Sequence, residues 1–103
     1  MSNKSNNEEE FFKNKYAYAM IDSDSKKGDS FYIYAENKEK NYFDLDKDEI
    51  EGIYLLMNKV KKYLNETFDP ICHIVEILSS RGLEDEYPRG FWIHIDSFYG
   101  YKK

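Results

Sequence analysis

The chain has 103 residues, of which 41% are hydrophobic, 34% charged and 17% aromatic, and its net charge is -5. This length allows one domain with one modest core, and the composition is that of a soluble globular protein. The acidic balance, with only two arginines, argues against direct binding to a nucleic-acid backbone. The single cysteine, Cys72, excludes an intramolecular disulfide.

The first ten residues are polar and contain a run of three glutamates. Such a segment predicts a disordered tail over residues 1–10, followed by a single domain over residues 11–103. No apolar run reaches membrane-spanning length, and the first residues lack the apolar core of a signal peptide. We therefore expect an intracellular, cytoplasmic protein.

Two short strands are predicted near the start of the domain. Residues 15–21 alternate between two sides, with Tyr16, Tyr18 and Met20 on one and Ala17, Ala19 and Ile21 on the other. We expect the small alanine side to lie beneath a helix. A polar turn over 22–29 leads to a second strand over 30–35, which predicts an antiparallel hairpin. Residues 42–44 fit a short third strand.

The segment from Asp46 to Leu64 has the clearest helical period in the chain. Five apolar residues recur at helical spacing and are expected to form one buried stripe: Ile50, Ile53, Met57, Val60 and Leu64. Tyr54, Leu56 and Tyr63 widen this stripe enough for it to lie on a sheet. Asp46 and Glu49 have the spacing of a capping box at the helix start.

Residues 71–80 fit two structures. As a helix, the segment would follow Asp69 and Pro70 and stop before Gly82. As a buried strand, it would use its β-branched residues: Ile71, Ile74, Val75 and Ile77. We favour the strand, because a sheet of three short strands would leave the long helix insufficiently covered. An acidic loop over 83–89 then leads to a strongly alternating strand over 90–99.

Together these elements predict an α+β fold in the order β-β-(β)-α-β-β. The antiparallel sheet would have four to five strands, with one long helix packed on one face. The tyrosine and tryptophan side chains of the other sheet face would then be left toward water.

Few side chains in the sequence suit catalysis or metal binding. Segments beginning at Asp22 and Asp44 start like calcium loops, but both lack the glycine and glutamate required later in such a loop. Cys72 and the two histidines are too few for a structural zinc site. Asp96 follows His94 on the same strand face and could orient its ring, yet nothing marks a nucleophile. We therefore predict no enzyme, no cofactor, no metal site and no catalytic residue.

Two sets of residues are candidate partner-binding surfaces. The acidic set would occupy a basic groove on a protein partner in competition with nucleic acid: Asp44, Asp46, Asp48, Glu49, Glu51, Glu84, Asp85 and Glu86. The aromatic set suits a protein interface or self-association: Tyr16, Tyr18, Tyr32, Tyr34, Trp92, Tyr99 and Tyr101. The ordinary interpretations are a solvated face for the acidic set and a partly covered sheet face for the aromatic set.

In size and composition the chain resembles the small acidic proteins with which phages block host nucleic-acid-processing enzymes. No motif carries this resemblance. It implies a non-enzymatic inhibitor, such as an anti-CRISPR protein, which binds a protein with a basic surface and neither nucleic acid nor membrane. One alternative is a homo-oligomeric subunit, with a homodimer formed through the tyrosine face or the sheet edge. Another is a small-ligand-binding or enzymatic domain that uses His94 and Asp96.

Overall fold

The computed structural model of the chain describes residues 12–82 and 90–100. Within these residues the elements are β1 (Ala17–Ile21), β2 (Phe31–Ala35), a 3-10 helix (Tyr42–Asp44), the long helix α1 (Lys47–Phe68), β3 (Cys72–Ser80) and β4 (Gly90–Phe98). The strands form one antiparallel sheet in the order β1-β2-β4-β3, so β4 lies inside the sheet. The predicted α+β fold is confirmed.

Both ends of α1 are capped. Asp46 Oδ1 accepts a hydrogen bond from Glu49 N at 2.9 Å, and Glu49 Oε1 accepts one from Asp46 N at 2.9 Å, which confirms the predicted capping box. Lys40 Nζ donates to the same Glu49 oxygen at 2.8 Å. At the other end Asp69 adopts a left-handed conformation with φ 53°, and Pro70 cannot continue the helix.

The core lies between α1 and one face of the sheet. β1 contributes Ala17 and Ala19, whose small side chains lie beneath the helix as predicted. The other core side chains come from β2, α1 and β4: Phe31, Ile33, Ala35, Ile53, Leu56, Val60, Leu64, Phe91, Ile93 and Ile95. A Cβ atom added to Gly52 would lie 2.3 Å from Tyr16 Cδ2, so the absence of a side chain lets Tyr16 pack on the helix.

The stripe predicted for the helix is only partly correct. Val60 and Leu64 are buried, and Met57 packs against the core while partly buried. Ile50, by contrast, is 52% exposed. With 3.6 residues per turn, the buried face is centred between Leu56 and Val60, and Ile50 lies roughly 100° from that centre. Tyr54, expected to widen the stripe, is exposed as well.

The structure decides two predictions about strands. Residues 72–80 form β3, as favoured over a helix. Residues 42–44 form a 3-10 helix rather than a third strand, because Asn41 closes a tight turn there: its side chain accepts from Phe43 N at 3.0 Å.

Ile21, expected beside the alanines under the helix, is 54% exposed, since burial of β1 ends at Ala19.

Some predictions concern segments outside the described residues, namely the tail over 1–10 and the acidic loop over 83–89. Within the described ranges, no helix is both long enough and apolar enough to cross a membrane.

Candidate functional site

The sheet face that α1 does not cover carries a histidine near its centre. The strand registers align one row of side chains across all four strands: Met20, Tyr32, His94 and Glu76. A second row lies beside it: Tyr18, Tyr34, Trp92 and Leu78. Side chains alternate along each strand, so both rows point away from the core. We call this surface the open face.

Aromatic rings form a continuous platform on the open face. The Tyr32 ring lies 4.5 Å from the His94 ring, at an interplanar angle of 29°. The Tyr34 ring stacks on Tyr32 at 6.0 Å and also approaches Tyr18 at 5.5 Å. Burial, followed by the neighbouring Tyr32 and Tyr18, raises the pKa of Tyr34 above its ordinary value. The Tyr34 phenol is therefore neutral at physiological pH, and the platform offers an uncharged stacking surface.

A partly buried carboxylate contacts the His94 ring. Asp22 Oδ2 lies 3.1 Å from His94 Nε2, and the Asp22 side chain is 15% exposed. Glu76 Oε1 is 3.7 Å from Nδ1, too far for a hydrogen bond, and its side chain is 73% exposed. When Nε2 donates to Asp22, Nδ1 keeps its lone pair on the more open side of the ring. This arrangement suits a proton acceptor.

The turn that carries Asp22 is fastened to β4 and the residues after it. Asp29 accepts from Ser25 Oγ at 2.8 Å and from Tyr99 OH at 2.7 Å. Ser97 Oγ donates to the Asp29 carbonyl oxygen at 2.8 Å. Burial acts to raise the pKa of the Asp29 carboxyl, but the hydrogen bonds from Tyr99 and Ser25 outweigh it and hold the pKa below its usual value. These hydrogen bonds therefore hold the turn that positions Asp22 beside His94.

A shallow depression of about 280 Å³ lies between this turn and β4. It is lined by Asp22, Asp24, Ser25, Lys26, Lys27, Asp29, Ser30, His94 and Asp96. Carboxylates outnumber lysines there, and Lys27 Nζ lies 4.2 Å from the centre of the Tyr99 ring. The depression is too small for a whole drug-sized molecule, so it suits one end of a ligand. In the described ranges, no group of three or more His, Cys, Asp or Glu side chains is arranged to hold a metal ion.

Asp96 does not orient His94 as predicted. It accepts instead from Ser30 Oγ and from the Ser97 backbone N–H, the latter at 2.9 Å. Asp22 has the orienting position, because the turn after β1 folds back over β4. The sequence carries one signal for this residue: Asp22 lies two positions after Met20, on the strand face that also holds Tyr18.

Cys72 and His73 take no part in the site. Cys72 pairs with Phe98 and lies four residues along β3 from the residue opposite His94. That separation is about 13 Å at ~3.3 Å per residue, so no Cys72–His94 dyad forms. His73 lies on the helix side of β3, and its Nε2 is buried without a hydrogen-bond partner among the described residues.

The acidic set lies away from the open face. Its described members lie on the 3-10 helix, at the N-cap of α1 and in the first turns of α1, on the other side of the sheet: Asp44, Asp46, Asp48, Glu49 and Glu51. Asp46 and Glu49 form the capping box, and Lys40 pairs with Glu49. The remaining members fall outside the described residues: Glu84, Asp85 and Glu86.

The aromatic set is divided by the structure. Four members share the open face: Tyr18, Tyr32, Tyr34 and Trp92. Tyr16 packs against Gly52 of the helix instead, and Tyr99 bonds the turn through Asp29. Tyr101 is outside the described residues. The open face therefore joins the aromatic platform to His94, a residue that sequence reasoning had considered separately.

Comparison with known proteins finds a likeness of fold and not of sequence. The sequence matches no protein-family model and no curated protein. A member of the HIT family of proteins from Bacillus subtilis aligns with a TM-score of 0.68, covering 85% of this chain and 62% of that chain at 12% identity. A HIT family protein from Bacillus anthracis str. 'Ames Ancestor' aligns with the same TM-score and coverage at 14% identity. The chain thus spans less than two thirds of the length of either structure, and the likeness shows the fold alone.

The inhibitor interpretation is wrong. The described fold resembles that of two HIT family proteins, and nothing in the described residues supports a phage-type inhibitor or an anti-CRISPR protein. The resemblance rested on size and acidity, which unrelated folds share, and several of the acidic side chains serve the start of α1. The prediction that the chain is not an enzyme gains no support from these structures.

Proposed function

We propose that the open face binds a small molecule with a planar ring, of the nucleoside or nucleotide class, and that His94 acts on it as a general acid–base. One observation carries the proposal: Tyr32 stacks on the His94 ring at 4.5 Å while Asp22 holds His94 Nε2 at 3.1 Å. A stacking surface and a proton acceptor therefore meet at one point of the sheet.

The aromatic platform supplies the affinity for a ring. Tyr32 and Tyr34 are half-buried and stack with a small interplanar angle of 23°. Tyr18 and Trp92 flank Tyr34 in the next row and are half-buried too. A nucleobase stacked on an aromatic side chain gains about 1–3 kcal/mol, with little dependence on which base it is.

His94 supplies the proton transfer. The Asp22 carboxylate selects the tautomer with the proton on Nε2 and stabilises the imidazolium that forms when Nδ1 accepts a proton. Glu76 Oε1 lies 3.7 Å from Nδ1, but its side chain is 73% exposed and can move away when a ligand arrives. A positioned general base of this kind accelerates a hydrolytic step by roughly 10²–10⁴-fold.

The charge of the depression selects among ligands. Four carboxylates and two lysines line it, which leaves a net negative charge when His94 is neutral. Groups with several negative charges are repelled from such a surface. We therefore expect a nucleoside or a nucleoside monophosphate ester to bind more tightly than a triphosphate.

Binding is tested by the fluorescence of Trp92, the chain's single tryptophan, which lies on the open face. Adenosine and AMP are expected to change it saturably, and ATP more weakly. Tyr32→Ala should weaken binding about tenfold. Tyr54→Ala is the matched control, because Tyr54 is 61% exposed on α1. A signal that does not saturate with adenosine or AMP, or an unchanged affinity in the Tyr32 variant, would rule out this binding site.

Turnover is tested separately, with a nucleoside monophosphate ester that carries a good leaving group and with phosphorus NMR as the readout. His94→Gln should reduce the hydrolysis rate about 100-fold or more while the Trp92 response to adenosine persists. Asp22→Asn should reduce the rate less, because it disturbs the tautomer and leaves the imidazole in place. Equal rates in the parent protein and the His94 variant would show that His94 is not a general acid–base, without contradicting the binding site.

A further inference from the structure

The open face continues onto β3, where its character changes from aromatic to apolar. Ile74 and Leu78 lie on this face of β3, and they are 45% and 42% exposed. Leu78 is opposite Trp92 of β4 in the strand register. Glu76 lies between the two apolar residues, is opposite His94 and is the only acidic residue of β3. β3 therefore presents two apolar side chains to solvent on the face that holds the candidate site.

The two nitrogen atoms of the His94 ring point toward the two outer strands of the described sheet. Nε2 lies 3.1 Å from Oδ2 of Asp22, which follows β1. Nδ1 lies 3.7 Å from Oε1 of Glu76, on β3. Since Asp22 selects the tautomer with the proton on Nε2, the nitrogen that accepts a proton faces β3. A bond on which His94 acts therefore lies on the β3 side of the ring.

The aromatic platform lies on the other side of His94. Tyr32 of β2 stacks on the His94 ring at 4.5 Å, and Tyr34 continues the stack. When a nucleobase occupies these rings, the part of the ligand beyond the reacting bond extends over β3. Diagonal neighbours on adjacent strands are ~7–8 Å apart, so Ile74 and Leu78 are both within reach of a group that departs beside His94.

We propose that Ile74 and Leu78 select the leaving group of the substrate, an apolar alcohol esterified to the phosphate of a nucleoside monophosphate. This inference rests on the proposed function and specifies the second half of its ligand. Water attacks phosphorus, its hydroxyl stays there, and its proton goes to His94 Nδ1. The phosphorus–oxygen bond to the apolar group breaks, and Nδ1 returns the proton to the departing oxygen. The products are a nucleoside monophosphate and a neutral alcohol.

Glu76 adds a selection by charge to this apolar surface. Its side chain is 73% exposed and lies between Ile74 and Leu78, so it can turn aside for a neutral group. It repels a leaving group that carries a negative charge, because like charges at short distance interact unfavourably. A neutral alkyl group is therefore favoured over a carboxylated group of the same length.

The test is the binding of AMP and of its methyl, butyl and hexyl esters, measured by the fluorescence of Trp92, which is opposite Leu78. A methylene covered on one side gains about half of the effect of full burial. Affinity should therefore rise about twofold per methylene, or about eightfold from methyl to butyl. The double variant Ile74→Thr, Leu78→Thr keeps β-branched, strand-forming side chains and should reduce this preference to about twofold or less.

Ile77→Thr is the matched control, because Ile77 is on the same strand and is 44% exposed, but lies on the helix side. This variant should keep the dependence on chain length. Equal affinity for the three esters in the parent chain, or an unchanged preference in the double variant, overturns this inference while leaving the proposed function intact. Absence of binding by AMP and by every ester overturns both.

A second measurement locates the leaving group without altering the apolar residues. A carboxypropyl ester of AMP has as many carbon atoms in its chain as the butyl ester but carries a terminal carboxylate. It should bind more weakly than the butyl ester at low salt, and Glu76→Gln should reduce the difference about twofold. A difference that is the same in the parent chain and in the Glu76 variant contradicts the placement of the leaving group on β3.

Discussion

β2 and β3 flank the same strand of the same sheet, yet they are buried to different degrees. Ile33 of β2 and Ile77 of β3 lie on either side of Ile93 of β4, in one row and on the same face. Ile33 is 0% exposed and Ile77 is 44% exposed. The residue type, the strand partner and the sheet face are the same. What differs is the next layer, because α1 packs over β1 and β2, whereas the short 3-10 helix contacts β3.

This comparison shows that the apolar content of a strand does not by itself fix its burial. β3 was favoured as a buried strand on its β-branched residues, and its strand structure is correct. The burial expected of it requires a second layer, which the described residues place over β1, β2 and β4, whereas at β3 the 3-10 helix makes contact through Tyr42 and Ser79.

The largest difference in unfolding free energy is expected between variants in which Ile33 or Ile77 is shortened to alanine. Ile33→Ala should cost about 2–5 kcal/mol of unfolding free energy, because it leaves a cavity in the core. Ile77→Ala should cost about 1 kcal/mol in dilute solution, because the side chain is already half in water. Urea unfolding at low protein concentration measures both.

Equal losses in the two isoleucine variants would mean that Ile77 is covered in solution. The comparison between the covered and uncovered sides of the sheet would then fail.

A smaller loss of unfolding free energy is expected at the contact between Gly52 of α1 and Tyr16, which precedes β1. Gly52→Ala places a Cβ 2.3 Å from Tyr16 Cδ2, and the resulting displacement should cost about 1–3 kcal/mol. In a Tyr16→Ala background the same change should be neutral or stabilising, because alanine favours a helix by about 1 kcal/mol over glycine. A double-mutant cycle from thermal or urea unfolding measures the coupling. No coupling between the two positions would show that this contact does not fix the helix.

The smallest loss of unfolding free energy is expected from changing Asp29, whose hydrogen bonds hold the turn beside the open face. The pKa of Asp29 is lowered in the folded protein, so its ionised form contributes stability above its unfolded pKa, and that contribution is lost as pH falls through the folded pKa. Asp29→Asn should lower the unfolding free energy by about 1 kcal/mol at neutral pH. It should also flatten the loss of stability below about pH 4.

The Asp29 prediction is checked by urea unfolding at neutral and acidic pH. Ser23→Ala, in the same turn but exposed, is the control and should keep the acid dependence of the parent. A parent and an Asp29 variant with the same acid dependence would show that the turn is not held by this carboxylate.

Local patterns predicted most of the fold. Alternation identified β1, β2 and β4, and the spacing of Asp46 and Glu49 identified the start of α1. The errors occur where several elements compete for one surface. Ile50 fits the helical period but lies beyond the edge of the buried face. Tyr16 has the same alternation as the open-face tyrosines. Its ring nevertheless packs on α1, in the space left by the missing side chain of Gly52.

The candidate site was less predictable than the fold. The tyrosine and tryptophan side chains were expected on one sheet face, because strand alternation is a local property, whereas His94 was considered separately. The partner of His94 was not predicted, since Asp22 is 72 residues away in sequence and reaches it only through the folded turn. Asp96 was the nearer candidate along the chain, and Ser30 binds it instead.

The place of β4 in the sheet has a consequence for how the protein forms during synthesis. β4 joins β2 to β3, yet it is the last of the four strands to be made. The β1–β2 hairpin and α1 can form early from neighbouring residues, but the core that needs Phe91, Ile93 and Ile95 waits for the final strand. Contacts so distant in sequence slow folding. Until β4 leaves the ribosome, the inner edge of β2 has no strand partner, and the apolar side chains of β2 and α1 lack the residues of β4 that cover them in the folded core.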